Sequence, residues 1–196
     1  MIHPIYNTPV TASATQTFSE DDYLEDPERI IGDLINEHEN CPISTYIGEM
    51  EKWLRTQLTG LTRDIDRIFI HCTGTATNAR VSSIVNYWKN NLGWRHPGYH
   101  LIFPLEGFTA LQDLNLPSNG VRGYNARSIH LCTIGGLDQD GAFSDTRNNS
   151  QQQLLHAAVQ IIHNHIPNAD ILGHNEVSNK ACPCYDARAE FAYLKQ

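Results

Sequence analysis

Two imidazoles and a thiol, His71, His174 and Cys182, are the residues here whose types best suit a divalent metal. The last two fall within "GHNEVSNKACPC" (173–184), which also holds Lys180 and a further thiol, Cys184. His71 and His174 each end a short apolar run, "RIFIH" and "ADILGH", that reads as a strand. Side chains at strand ends gather on the rim of a sheet, where ligands bind. Cys182 follows His174 by eight residues, enough chain for a loop to leave that rim and return. Two nitrogens and one sulfur leave a tetrahedral Zn²⁺ shell one position short, the arrangement of a catalytic site rather than a structural one. Cys184 would close the shell, but in Cys-Pro-Cys the second sulfur tends to project away from the first. Spacing alone leaves three readings open: a metal site, a disulfide corner, or a loop that happens to hold reactive residues. The chain has ten histidines and neither a His-Glu-x-x-His nor a Cys-x-x-Cys motif, so a His, His, Cys set is easily met by chance.

The elements that must position these groups alternate between strand and helix. "RIFIHCT" (67–73) reads as a buried strand, and "VSSIVNYWKNNLG" (81–93) as an amphipathic helix. Val81, Ile84, Val85 and Trp88 form its apolar face, and Gly93 stops it. "YHLIFP" (99–104), "FTALQD" and "SIHLCTIGG" (128–136) are further strands, and Cys132 inside the last is expected to be core. "SQQQLLHAAVQIIHNHI" (150–166) is a long helix facing inward through Leu155, Ala158, Val159 and Ile162, with His163 and His165 solvated or half-packed. This grammar predicts one α/β or α+β layer structure over residues 61–196, and of the two the expected fold class is α/β, a mixed central sheet flanked by helices.

Residues 1–60 read differently, as an N-terminal arm followed by a small helical extension. Asp26 caps one expected helix, with Pro27 in its first position and Ile30, Ile31, Leu34 and Ile35 on one face. Ser44 is the expected cap of a second helix, with Ile47, Met50, Leu54 and Leu58 at helical spacing. Apolar faces on both helices imply that they pack against something: the following domain, a larger assembly, or a basic surface of a protein or other partner.

Bulk properties narrow the function classes. A net charge of −8 argues against a nucleic-acid-coating protein. No run reaches the ~18–20 apolar residues that span a bilayer, so no membrane insertion is expected. Five cysteines, an odd and scattered set, fit a disulfide framework poorly and favour synthesis in a reducing cytoplasm. The amino terminus lacks the basic start and apolar segment of a secretory signal.

Four blocks carry a resemblance: "IFIHCTGT", "GWRHPGYHLIF", "RGYNARSIHLCTIGG" and "GHNEVSNKACPCYD". In this order they resemble the zinc-dependent N-acetylmuramoyl-L-alanine amidases related to peptidoglycan-recognition proteins, and among these the short bacteriophage amidases called lysozymes. The resemblance spans residues 64–194 or so and does not reach residues 1–60. It implies one Zn²⁺ per chain on His71, His174 and Cys182, with Tyr99 and Lys180 as catalytic groups. It implies a peptidoglycan substrate, cut between N-acetylmuramic acid and L-alanine. Tyr124 and Asn125 fall in the family segment bordering the muramyl-peptide cleft, although a plain turn explains them as well. An endolysin of this kind is made in the cytoplasm and meets the wall after release or as part of a virion. The alternative is a binding module on the same fold, holding wall fragments or a protein without hydrolysis. Two positions depart from the family. His130 stands where glycine is common, which would narrow or recharge the groove, and Cys184 replaces a small residue. His100, next to Tyr99, is expected to point to the opposite face of its strand and to be structural.

Overall fold

The computed structural model describes residues 42–195. The helix expected from Asp26 lies outside them, as does Cys41. Helix α1 (Ile43–Thr59) buries Tyr46, Met50, Trp53, Leu54 and Leu58, a stripe at three- and four-residue spacing. It starts from Pro42, so Ser44 sits inside the first turn and is not the cap. Proline suits that boundary because its missing N–H would have had no helical partner. Helix α2 (Val81–Asn90) ends before Gly93, whose φ of 64° lets the chain reverse so that the Trp94 N–H reaches the Trp88 carbonyl. Helix α3 (Asn149–His165) opens with a capping box that the sequence reading missed. Asn148 Oδ1 accepts from the Gln151 N–H at 2.8 Å, and Gln151 Oε1 accepts from the Asn148 N–H at 3.1 Å. A short helix, α4 (Ala187–Glu190), follows near the end.

Five strands form one sheet: β1 (Arg67–Cys72), β2 (Leu101–Phe103), β3 (Thr109–Ala110), β4 (Ser128–Thr133) and β5 (Asp170–Gly173). Their order is β3-β2-β4-β1-β5, with β3 antiparallel at one edge and the rest parallel. Parallel strands covered on both faces read as continuous apolar runs, which is why "RIFIHC" and "SIHLCT" show no polar alternation.

The sheet has two unlike faces. Ile68, Ile70, Leu101, Phe103, Ile129, Leu131 and Ile171 join the inward stripes of α1 and α3 in one aliphatic core. On the other face α2 covers Ile102, Cys132 and Ile134, while Phe69, Val121 and Leu172 form a separate small cluster. His71, His100 and His130 are fully buried, and their rings lie close together on this second face. His163, expected to be solvated or half-packed, is buried on α3. Among the described residues no helix is long and apolar enough to cross a membrane.

Candidate metal centre and active site

Strand register brings the two ligand candidates together. β1 and β5 run parallel with Ile70 opposite Gly173, so the next residue of each strand, His71 and His174, emerges at the same edge. Their rings sit edge to face with centroids 4.9 Å apart. The loop after His174 then returns Cys182 to that edge. The Asn175 N–H donates to the Cys182 carbonyl at 2.7 Å, and the Cys72 N–H donates to the Cys182 sulfur at 3.2 Å. Donor atoms of His71, His174 and Cys182 all lie within 4.8 Å of one another, and among the described residues this is the one grouping of its kind. Cys182 Sγ is 3.7 Å from His71 Nδ1. Bonds of about 2.0–2.1 Å to nitrogen and 2.3 Å to sulfur at a tetrahedral angle would separate those atoms by about 3.6 Å. The donor set fits zinc in its chemistry, and the Cys182–His71 separation fits it in spacing.

Electrostatics suit the same role. Burial, then the neighbouring His174 and Lys180, hold His71 well below the ordinary imidazole range. Burial and the Lys180 cation bring His174 down to about 4. Both rings are therefore neutral near pH 7, the form that ligates a metal. Lys180 is exposed, and its charge reaches both rings. Tyr99 packs on His71 with ring centroids 5.0 Å apart and is braced edge-on by Trp88. Burial, then the Cys132 and Cys182 thiols, push its phenol well above the usual range. Cys184 turns away from the donor set. Its backbone is left-handed (φ 77°), and its sulfur lies 3.6 Å from Cys72 Sγ, against the Gly136 carbonyl.

A family model described as N-acetylmuramoyl-L-alanine amidase matches residues 61–185. The chain belongs to that family. It is 32% identical over 125 residues to the endolysin of Escherichia phage T7, covering 63% of this chain and 83% of that protein. To the endolysin of Enterobacteria phage K11 it is 30% identical over 126 residues, with the same coverage of 63% and 83%. Among solved structures, the Ph2119 endolysin from a Thermus scotoductus bacteriophage superposes with a TM-score of 0.56 at 20% identity, over 67% of this chain and 84% of that one. Drosophila PGRP-LB superposes with a TM-score of 0.54 at 19% identity, over 67% of this chain and 82% of the other. At those identities the likeness is one of fold.

The remaining candidates in this amidase, Tyr124 and Asn125, lie in the segment that leads into β4. Tyr124 is half-buried against Phe69, with the Arg67 guanidinium 5.2 Å from its ring centre. Asn125 accepts the Val121 N–H on its side-chain oxygen at 2.8 Å, so that atom already closes a turn. Arg63, which the sequence reading passed over, clamps this segment by donating to the carbonyls of Leu114, Leu116, Asn125, Ala126 and Ser128.

His130 and His100 both correct the sequence reading. His130 does not line the groove; it is fully buried behind His71, with its Nδ1 3.0 Å from His71 Nε2. His100 does not point away from the site. The regular strand begins only at Leu101, and the His100 ring stacks on His130 at 5.8 Å. No local sequence signal foretold either contact, because both depend on which residues of separate strands come to lie side by side.

Proposed function

We propose that this amidase hydrolyses the bond between the lactyl group of N-acetylmuramic acid and the L-alanine that begins the stem peptide. In this reading one Zn²⁺ per chain is held by His71, His174 and Cys182. What carries it is the convergence of three donors, within 4.8 Å of one another, in a chain of the amidase family. When bound, such an ion would polarise the scissile carbonyl and bring the pKa of a water it holds down to about 7.

The chain's own groups supply the rest. An amide carbonyl gains negative charge as it is attacked, and a fixed cation or donor at that oxygen is worth about 10²–10³ in rate. Lys180, charged and beside both histidines, is that cation. Tyr99 is held protonated by its burial, so it serves as a donor to the carbonyl oxygen or the departing nitrogen. Tyr124 and Asn125 border the muramyl-peptide cleft, Tyr124 with its ring and Asn125 with its amide nitrogen. Residues 61–196 form the catalytic unit, which the match beginning at residue 61 supports. Residues 1–60 are its extension, with α1 docked through α3 and the preceding part available to a protein partner. The chain carries no nucleic-acid function, and it reaches the wall after release or on a virion.

The test is digestion of purified cell walls, following new L-alanine amino termini with and without chelator. Expected is loss of release on zinc removal and its return on zinc addition. Full turnover by metal-free protein would refute the reading.

A further inference from the structure

His130 is a costly residue to bury. Its ring lies parallel to Phe69 at 5.5 Å and to His100 at 5.8 Å, sandwiched and fully enclosed. Its Nε2 is buried with no hydrogen-bond partner among the described residues. A buried polar nitrogen left unpaired opposes folding, so packing alone would favour an apolar ring here. What an apolar ring lacks is the other nitrogen, Nδ1, at 3.0 Å from His71 Nε2.

The direction of that hydrogen bond follows from the site. His71 turns Nδ1 toward Cys182, so a metal-bound neutral imidazole carries its proton on Nε2. His130 Nδ1 must then accept, which leaves the His130 proton on the unpaired Nε2. The fold holds His130 in place from two further directions. Its backbone N–H donates to His100 Nδ1 at 3.0 Å, and His100 in turn donates through Nε2 to the Leu116 carbonyl at 3.0 Å. Gly120 lies against the imidazole so closely that a Cβ there would stand 2.3 Å from His130 Nδ1.

We infer that His130 is a positioning residue for the metal centre: its Nδ1 accepts a hydrogen bond from His71 Nε2–H and so fixes the tautomer and ring angle that present Nδ1 of His71 to zinc. This rests on the zinc reading above. Partners behind ligating histidines are typically worth about 10- to 100-fold in metal affinity.

The experiment measures zinc affinity by competition with a chromophoric chelator, and the visible spectrum of the cobalt-substituted protein. His130→Phe keeps the ring and removes the acceptor. His130→Asn places an oxygen near the position of Nδ1. Expected is a loss of about 10- to 100-fold in zinc affinity and a shifted cobalt spectrum for His130→Phe, with most of the affinity restored by His130→Asn. Metal-free His130→Phe should melt close to wild type, because it removes one unpaired buried nitrogen, His130 Nε2, but leaves His71 Nε2 without its partner. Gly120→Ala, which forces the imidazole away, should weaken zinc without touching His130 itself. If His130→Phe fails to fold, Gly120→Ala decides the matter. Zinc bound as tightly by folded His130→Phe or by Gly120→Ala as by wild type would overturn the inference while leaving the metal site standing. Failure of wild type to bind zinc, or of His71→Ala to abolish binding, would remove the metal reading itself.

Discussion

Strand β1 shows two chemistries on its two faces. Ile68 and Ile70 enter an aliphatic core shared with α1 and α3, while Phe69 and His71 enter a cluster of rings that ends at the donor set. All four side chains are fully buried. On the aliphatic face the stabilisation is mostly area, roughly 25 cal/mol per Å², and is indifferent to which atoms touch. On the ring face the nitrogens that are paired bond in set directions, so geometry rather than area decides what is tolerated. Loss on the first face should therefore appear as lost stability, and loss on the second as lost metal or lost rate.

The largest separation is expected from Cys182→Ala. Removing the sulfur takes one of three donors from the centre, and hydrolysis of purified walls should fall by more than ~10³-fold. Cys182 is half-buried and outside the aliphatic core, so the metal-free variant should unfold within about 0.5–1 kcal/mol of wild type in urea. Retained hydrolysis would show that the sulfur is not a ligand.

Leu131→Ala should show the opposite pattern. Leu131 is fully buried beneath α1 and α3, and truncation there costs about 2–5 kcal/mol through lost burial and the cavity left behind. Zinc stoichiometry and affinity of the folded fraction should be unchanged. A Leu131→Ala protein that lost zinc affinity in proportion to its stability would mean that the two faces are mechanically one.

The same contrast explains what the sequence made legible. The aliphatic face is periodic, so β1, α2, β4 and α3 could be placed within a few residues from spacing alone. The candidate ligands His71, His174 and Cys182 came from strand-end position together with the family blocks. The ring face was not legible, because its contacts cross strands whose register no local pattern encodes. Phe69 lies opposite His130 and His71 opposite Cys132, which sets His130 diagonally behind His71. From the sequence it read as a groove residue. Ser44 misled for a local reason: a good capping residue followed a proline that already began the helix.

A smaller, pH-dependent effect isolates the ring face from the metal. Burial, with the Arg63 cation adding to it, lowers His100 to about 3, whereas the unfolded chain protonates near 6.5. Between those values the unfolded state binds the extra proton, so this contribution to stability is complete above pH 6.5 and shrinks as pH falls toward 3. From pH 7.5 to 5.0 the loss traceable to His100 should be about 2 kcal/mol. Urea titrations of metal-free wild type and His100→Asn would measure it. The asparagine has no such proton to gain, so the stability gap between the two proteins should narrow toward acid. A gap that stays constant with pH would mean that His100 is protonated in the folded protein.

The smallest effect belongs to neither face. Lys195 and Asp170 pair at 2.7 Å with 37% and 56% of their side chains exposed, at the start of β5 and away from the edge that carries His174. The lysine holds the Asp170 carboxyl below its ordinary range, but water screens the pair. Asp170→Asn should cost about 0.5 kcal/mol or less and leave zinc affinity and wall hydrolysis as they were. The carboxylate contributes above its unfolded titration range and loses that contribution as pH falls, so even this cost should vanish in acid. A loss of zinc affinity in Asp170→Asn would show that β5 transmits strain along its length to His174, and the ring face could no longer be treated as a unit of its own.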